Sequence, residues 1–258
     1  MWDNSIISND TMSATPESAQ KAPEMLVADQ FIKDILGKST WHVTNPGAVT
    51  LDLFNVGPVG FAYAKVDCVD IAAIKVLEKA GFNLIDTSMQ FDRSNMGSWL
   101  EVELPTGYDV RFAELDDKAA VEKVAATSFV FTRFHLDPMI PDKMANDIKS
   151  HWAGNFFIGK RGDWMVVLTF HGKVVGFLQL LSKDGTNIID LMAVDKTHQG
   201  KGLAARMIEF AAKQCGEWDR MLVGTQLSNI PSMRAYEKLG FRMCDSSYVF
   251  HYHGPVMA

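Results

Sequence analysis

The sequence predicts an α/β (α+β) chain in which β-rich runs alternate with helix-spaced segments, and three stretches carry that prediction. Leu191 to Ala204 reads L-M-A-V-D-K-T-H-Q-G-K-G-L-A, a β-run that ends in a glycine-rich turn and opens a helix. Asn229 to Phe241 reads N-I-P-S-M-R-A-Y-E-K-L-G-F, a helix that closes on Gly-Phe and enters a strand. Leu77 to Phe91 repeats Tyr236 to Phe250 at a constant offset, with Glu, Lys, Gly, Phe, Asp, Ser and Phe coinciding at seven of fifteen positions.

The elements follow in order. Residues 1–26 are small and polar and are expected to form a disordered tail. Leu26, Phe31, Ile32, Ile35 and Leu36 space a short helix between Met25 and Ser39, stopped at Gly37. Val49–Phe54 and Phe61–Val66 read as strands joined through Gly57-Pro58. Ile71, Ile74, Leu77 and Glu78 mark a helix closed by Gly81, and Phe82–Arg93 and Trp99–Leu104 are β-rich. Pro105-Thr106-Gly107 is the expected boundary between an N-terminal domain, 27–105, and a catalytic domain, 106–258.

Beyond it come a strand near Val110–Leu115, a helix from Asp116 to about Thr127, an aromatic loop, and a helix from Pro141 to about Ala153. A hairpin, Trp164–Phe170 and Val174–Leu181, turns at His171-Gly172-Lys173. Strand Ile188–Val194, helix Leu203–Cys215, strand Met221–Gln226, helix Ser232–Leu239 and final strands to His253 complete the chain.

The bulk numbers narrow the function classes. At 258 residues the chain holds one large domain or two small ones. A net charge of −6 argues against general nucleic-acid or acidic-membrane binding. No apolar run approaches the roughly 18 residues of a membrane span. The N-terminus lacks a secretory pattern, so a cytoplasmic location is expected. Cys68, Cys215 and Cys244 fit buried thiols in a reducing compartment rather than a disulfide framework. His251 and His253 alternate along one strand and are read as surface or barrel-end residues, with no metal expected.

The chemistry is legible in the two C-terminal segments. Successive N–H groups in a glycine turn, at the positive end of a helix dipole, form a seat for a pyrophosphate. Gly200 and Gly202 let the main chain approach phosphate oxygens with no Cβ in the way. A tyrosine on a nearby helix supplies a phenol able to protonate a departing thiolate. Together they read as a coenzyme A grip with a proton donor, which is acyl transfer.

Gln199-Gly200-Lys201-Gly202-Leu203-Ala204 is similar to the Q/R-x-x-G-x-G/A loop of the GNAT superfamily of acyl-CoA N-acyltransferases, and Tyr236–Phe241 to its Y-E-K-x-G-F segment. The resemblance implies the GNAT fold, a mixed and mostly antiparallel splayed sheet flanked by helices. It implies acetyl-CoA, or another short acyl-CoA, as co-substrate. Pantetheine would add like a strand beside Leu191-Met192-Ala193-Val194, with main-chain amides near Leu191 and Met192 as oxyanion donors. Gln199, Gly200, Lys201, Gly202, Leu203 and Ala204 would hold the pyrophosphate. Tyr236 would act as general acid, while Asn229 and Ser232 join the coenzyme contacts. The internal repeat lacks the glycine turn and carries Leu77 in place of Tyr236. The N-terminal region is therefore expected to be a partial GNAT-like half without coenzyme chemistry, walling off the acceptor cleft.

A narrower resemblance covers roughly residues 50 to 253. The G-F-x-L-I-D-type strand, the loop Thr127–His135, Gly224-Thr225-Gln226, Asn229 and Tyr236 look like the dTDP-fucosamine acetyltransferases and related nucleotide-amino-sugar N-acyltransferases of lipopolysaccharide assembly. That likeness implies a dTDP-amino sugar as acceptor. Arg133 would meet its diphosphate, and Phe129, Phe131 or Phe134 its base. His135, Asp190 and Gln226 are further acceptor-side candidates, with the general base unassigned. His135-Leu136-Asp137 departs from the relatives' R-x-x-P-type continuation, which leaves the sugar, the amine position and a 3-hydroxybutyryl donor open. Rival readings are a GNAT enzyme acting on a protein N-terminus, polyamine or antibiotic amine, and a silent acyl-CoA sensor. Open sheet edges point to a homodimer.

Overall fold

A computed structural model of the chain describes residues 25–50, 59–95, 99 and 103–254. The tail through residue 24, most of the expected Val49–Phe54 strand, the Gly57-Pro58 turn and half of Trp99–Leu104 lie outside the described residues. Contacts divide the chain into two units, residues 1–84 with 249–258, and residues 85–248. No helix among the described residues is long and apolar enough to cross a membrane.

In the first unit, β1 (Leu26–Ala28) runs antiparallel to β2 (Thr40–Val43), which runs parallel to β3 (Phe61–Asp67). Helix α1 (Gln30–Leu36) begins where Asp29 accepts the Ile32 N–H at 2.9 Å and ends at Gly37, left-handed at φ 65°. The single helix expected from Met25 is therefore shortened, because Leu26–Ala28 pair with β2 instead. The T-W-H-V strand β2 was not anticipated, being too short to show a period. Val49 and Thr50 are not in a strand. Helix α2 (Ile71–Lys79) is capped by Asp70, which accepts the Ala73 N–H at 2.9 Å, and it buries Ala73 and Leu77. The last strand, β10 (Arg242–His253), contributes its residues from Val249 and lies beside β3. His251, expected at the surface, is fully buried with its ring 4.8 Å from that of Phe61.

The second unit holds a mixed, mostly antiparallel sheet in the order β10-β4-β9-β8-β7-β6-β5, where β4 is Asn83–Ser94, β5 Tyr108–Phe112, β6 Trp164–Phe170, β7 Lys173–Lys183, β8 Thr186–Val194 and β9 Arg220–Gln226. Neighbours from β5 to β8 are antiparallel, β8 and β9 are parallel, and β9 and β4 are antiparallel. Helices α3 (Lys118–Ser128) and α4 (Asp142–Gly154) cover one face, burying Val121, Val124, Ala125 and Ala153 against Met165, Val167 and Phe177. Helices α5 (Leu203–Gln214) and α6 (Ile230–Lys238) cover the other, packing Met207, Ile208, Ala211 and Tyr236 against Leu168, Leu178, Leu180 and Val223. Each buried Val, Leu, Ile, Phe or Met side chain among these stabilises the fold by about 1.5–3 kcal/mol. The "final strands" of the sequence reading are one unbroken strand, β10.

The sequence repeat extends into geometry. β3, α2 and β4 begin and end at positions that map onto β9, α6 and β10 with every bound shifted by 159 residues. Their junctions match bond for bond. Gly81 and Phe82 donate to Glu78 O and Leu77 O at 3.1 and 3.0 Å, as Gly240 and Phe241 donate to Glu237 O and Tyr236 O, both at 3.0 Å.

Candidate active site

Strand β8 is where the sheet opens. Its parallel register with β9 runs from Thr186↔Arg220 to Ile189↔Val223 and goes no further, although β9 continues to Gln226. On its other side, β8 stays paired with β7 through Val194↔Gly176. The register with β7 slips between Gln179↔Leu191 and Leu180↔Ile189, which leaves Asp190 as the extra residue of a β-bulge. The bulge changes the parity of the strand. Ile189 packs with the α5 side of the core, yet Leu191 and Ala193 pack with the α3 and α4 side. Leu191, Met192, Ala193 and Val194 therefore keep one edge free of β9, and in an extended strand alternate N–H and C=O groups point to that edge.

Asp190 is held firmly. Its carboxylate accepts from Arg161 Nε and Nη2 at 2.7 and 2.6 Å, from Trp152 Nε1 at 3.0 Å and from Gln179 Nε2 at 3.1 Å. The pair is largely buried, with side chains 8% and 16% exposed. A carboxylate so occupied anchors the bulge, and its lone pairs are committed to donors rather than turned to an acceptor amine. Arg161, Trp152 and Gln179 carry no motif in the sequence, so nothing local could have singled them out.

The turn after β8 is tied down at its start. Asp195 accepts from the Thr197 hydroxyl and N–H at 2.6 and 2.9 Å, and these bonds hold its carboxyl below the usual range. Gln199 folds back to donate to Val194 O at 2.8 Å. Gly200 and Gly202 then take φ of 78° and 73°, a region that L side chains enter at a cost of about 1–2 kcal/mol. No atom lies within 4 Å of the position a Cβ on Gly200 would take. Gly202 caps α5 without a side-chain hydrogen bond. The N–H groups of Leu203 and Ala204 open α5 ahead of its first i→i−4 bonds. Donors at a helix N-terminus behind a glycine turn suit an anion such as a pyrophosphate. The Lys201 ammonium donates to the Tyr108 hydroxyl at 3.0 Å, which is also 2.7 Å from His198 Nδ1.

Tyr236 lies in α6, 5% exposed, with its ring 5.9 Å from both Phe91 and Phe241. Burial pushes its phenol up to about 12, against a weaker downward pull from a hydrogen bond with Ser232. The group is therefore protonated throughout the physiological range. Asn229 caps the helix, accepting the Ser232 N–H at 3.4 Å while its amide donates to Thr225 Oγ1 at 3.2 Å. Gln226 ends β9 opposite Ser88 of β4 and accepts the Asn229 N–H at 2.9 Å.

The acceptor-side candidates behave differently. Phe134 is 1% exposed, with the Arg133 guanidinium 4.5 Å over its ring, so that ring serves the core rather than an open stacking surface. His135 has both ring nitrogens engaged, Nδ1 with Thr132 Oγ1 at 2.6 Å and Nε2 with Asn146 Oδ1 at 2.9 Å. Phe131 is exposed and Phe129 half-buried.

Comparison with known proteins falls on this same region. Residues 128–241 match the Acetyltransferase (GNAT) family. The spore coat polysaccharide biosynthesis protein SpsD of Bacillus subtilis (strain 168) is 32% identical over 201 residues, covering 74% of this chain, and the chain spans 66% of that protein's length, just under two thirds. Two solved structures share the fold. A GCN5-related N-acetyltransferase from Sphaerobacter thermophilus has a TM-score of 0.59 at 11% identity, covering 90% of this chain and 76% of its own. A tandem GNAT protein from the clavulanic acid biosynthesis pathway has a TM-score of 0.58 at 12% identity, covering 86% and 77%. The opened strand and the glycine turn both lie inside residues 128–241, so the segment that carries them is similar to the Acetyltransferase (GNAT) family.

Proposed function

We propose that this enzyme acylates the amine of a nucleotide-linked amino-dideoxy sugar, a dTDP-amino sugar, for a surface polysaccharide, with acetyl-CoA as donor. One observation carries the acyl-transfer part: β8 leaves β9 after Ile189↔Val223, and the opened strand runs directly into the glycine turn at the N-terminus of α5. The sugar part is supported by the likeness to a spore coat polysaccharide biosynthesis protein and by the motifs between Thr127 and Tyr236.

In this reading the turn from Gln199 to Ala204 binds the pyrophosphate and the free edge from Leu191 to Val194 takes the pantetheine amides. Main-chain N–H groups near Leu191 and Met192 stabilise negative charge on the carbonyl oxygen as the neutral amine attacks its carbon. The carbon–sulfur bond then breaks, and Tyr236 gives its phenolic proton to the departing sulfur. The amine sheds one proton to solvent, which returns one to the phenolate. Asp190, Arg161, Trp152 and Gln179 hold the strand in shape.

A thiol-release assay with acetyl-CoA and dTDP-3-amino or dTDP-4-amino sugars, polyamines and peptides tests it. Turnover confined to the nucleotide sugars is expected. Faster turnover of a polyamine or peptide overturns the acceptor assignment, and tight coenzyme binding without turnover of any amine overturns the enzymatic one.

A further inference from the structure

We propose that the first β-α-β copy works inside the catalytic site of the second: its last strand, β4, supplies Phe91 and Arg93 as positioning residues for Tyr236 and the helix that carries it. The inference rests on the proposed general-acid role of Tyr236.

The two copies share every element bound, yet each hands its last strand to the other's first. The antiparallel neighbour of β9 is β4, from Ser88↔Gln226 to Ser94↔Arg220. The neighbour of β3 is β10. A β4 side chain is therefore what packs where the chain's own next strand would otherwise stand. Phe91, at the register pair Phe91↔Val223, is 2% exposed and lies against the Tyr236 ring. Val223 is also the last residue of β9 paired with β8 before the sheet opens. The strand that buries the phenol is thus registered to the residue at which the cleft begins.

Arg93 acts two residues further along. Its guanidinium donates to Leu239 O at the end of α6 and lies 3.7 Å over the Trp99 ring. It also stands 3.7 Å from where a Cβ on Gly240 would be. A cation on the last carbonyls of a helix opposes the negative end of its dipole and fixes that end in place. The matching residue of the other copy is Tyr252, which lies 3.7 Å from the corresponding position on Gly81 and 5.4 Å from Phe82. The site is the same, but only the copy that carries a tyrosine at position 236 has received a cation at its helix end. The counterpart of Tyr236 is Leu77, which has no proton to deliver. The substitution pattern follows the chemistry and not the shared packing.

The test uses the full chain. Phe91→Leu, Arg93→Gln and Arg93→Lys are made alone and combined with Tyr236→Phe, and thiol release is followed with acetyl-CoA and a dTDP-4-amino sugar. Phe91→Leu and Arg93→Gln are expected to lower kcat about tenfold to hundredfold, the cost of a misplaced catalytic group, with the KM for acetyl-CoA unchanged. Arg93→Lys restores part of the loss. In the Tyr236→Phe background neither change adds a further loss, since both act through the phenol. Losses that multiply in that background, or single variants that turn over normally, overturn the proposal. Normal turnover by Tyr236→Phe itself sinks the general-acid reading instead. Placement is then decided by ring-labelled tyrosine NMR, where Phe91→Leu must lower the pH at which the Tyr236 ring titrates; an unmoved ring overturns the positioning claim.

Discussion

Replacing Tyr236 by Phe removes one oxygen from a ring that is already buried, so its effects on rate and on stability separate cleanly. The ring keeps its contacts with Phe91 and Phe241, and no cavity opens. Loss of the hydrogen bond with Ser232 costs about 1 kcal/mol. As the proposed proton donor, the phenol contributes about 10²–10⁴ to kcat, which is about 3–5 kcal/mol of the barrier. The variant should therefore keep its KM for acetyl-CoA and its fold while losing nearly all turnover. The burial makes a second, independent prediction. In the unfolded chain this phenol titrates at its ordinary value of 10.0, and in the fold at about 12. As pH rises between those values the unfolded state gives up its proton first, so stability present below 10 is lost progressively toward 12. Two units amount to about 3 kcal/mol. Urea unfolding of both proteins from pH 8 to pH 11 measures it, and the wild type should lose stability more steeply than Tyr236→Phe. Equal slopes would refute the burial argument, and near-normal kcat in the variant would refute the catalytic one.

Three further outcomes follow from the site. Gly200→Val meets no steric obstacle but forces φ 78° on a β-branched residue; stability should fall by about 1–2 kcal/mol and the KM for acetyl-CoA should rise more than kcat falls, as steady-state kinetics would show. Asp190→Asn leaves Arg161 facing a neutral group in a largely buried site, and chemical denaturation should register a loss of about 3–5 kcal/mol, the usual cost of breaking a buried pair. Cys215 is buried with its thiol pushed up to about 12, so in the native protein a thiol reagent at pH 8 should modify the exposed Cys244 and leave Cys215 untouched until the fold is opened by denaturant.

What the sequence by itself determined is local. The glycine turn, the helix stops at Gly37 and Gly81, and the twin Gly-Phe junctions each depend on groups a few residues apart, so their spacing is visible in one dimension. The alternation of strands and helices was legible for the same reason. The tertiary structure alone decided which strands are neighbours. Nothing near Ser88–Ser94 announces that it will pair with Arg220–Gln226, and nothing near Asp190 announces Arg161, 29 residues earlier in the chain. The burial of Phe134, the engaged nitrogens of His135 and the opening of β8 from β9 were decided in the same way. Register and long-range ion pairing are set by packing over the whole sheet, and packing leaves no periodic trace in the residues that take part in it.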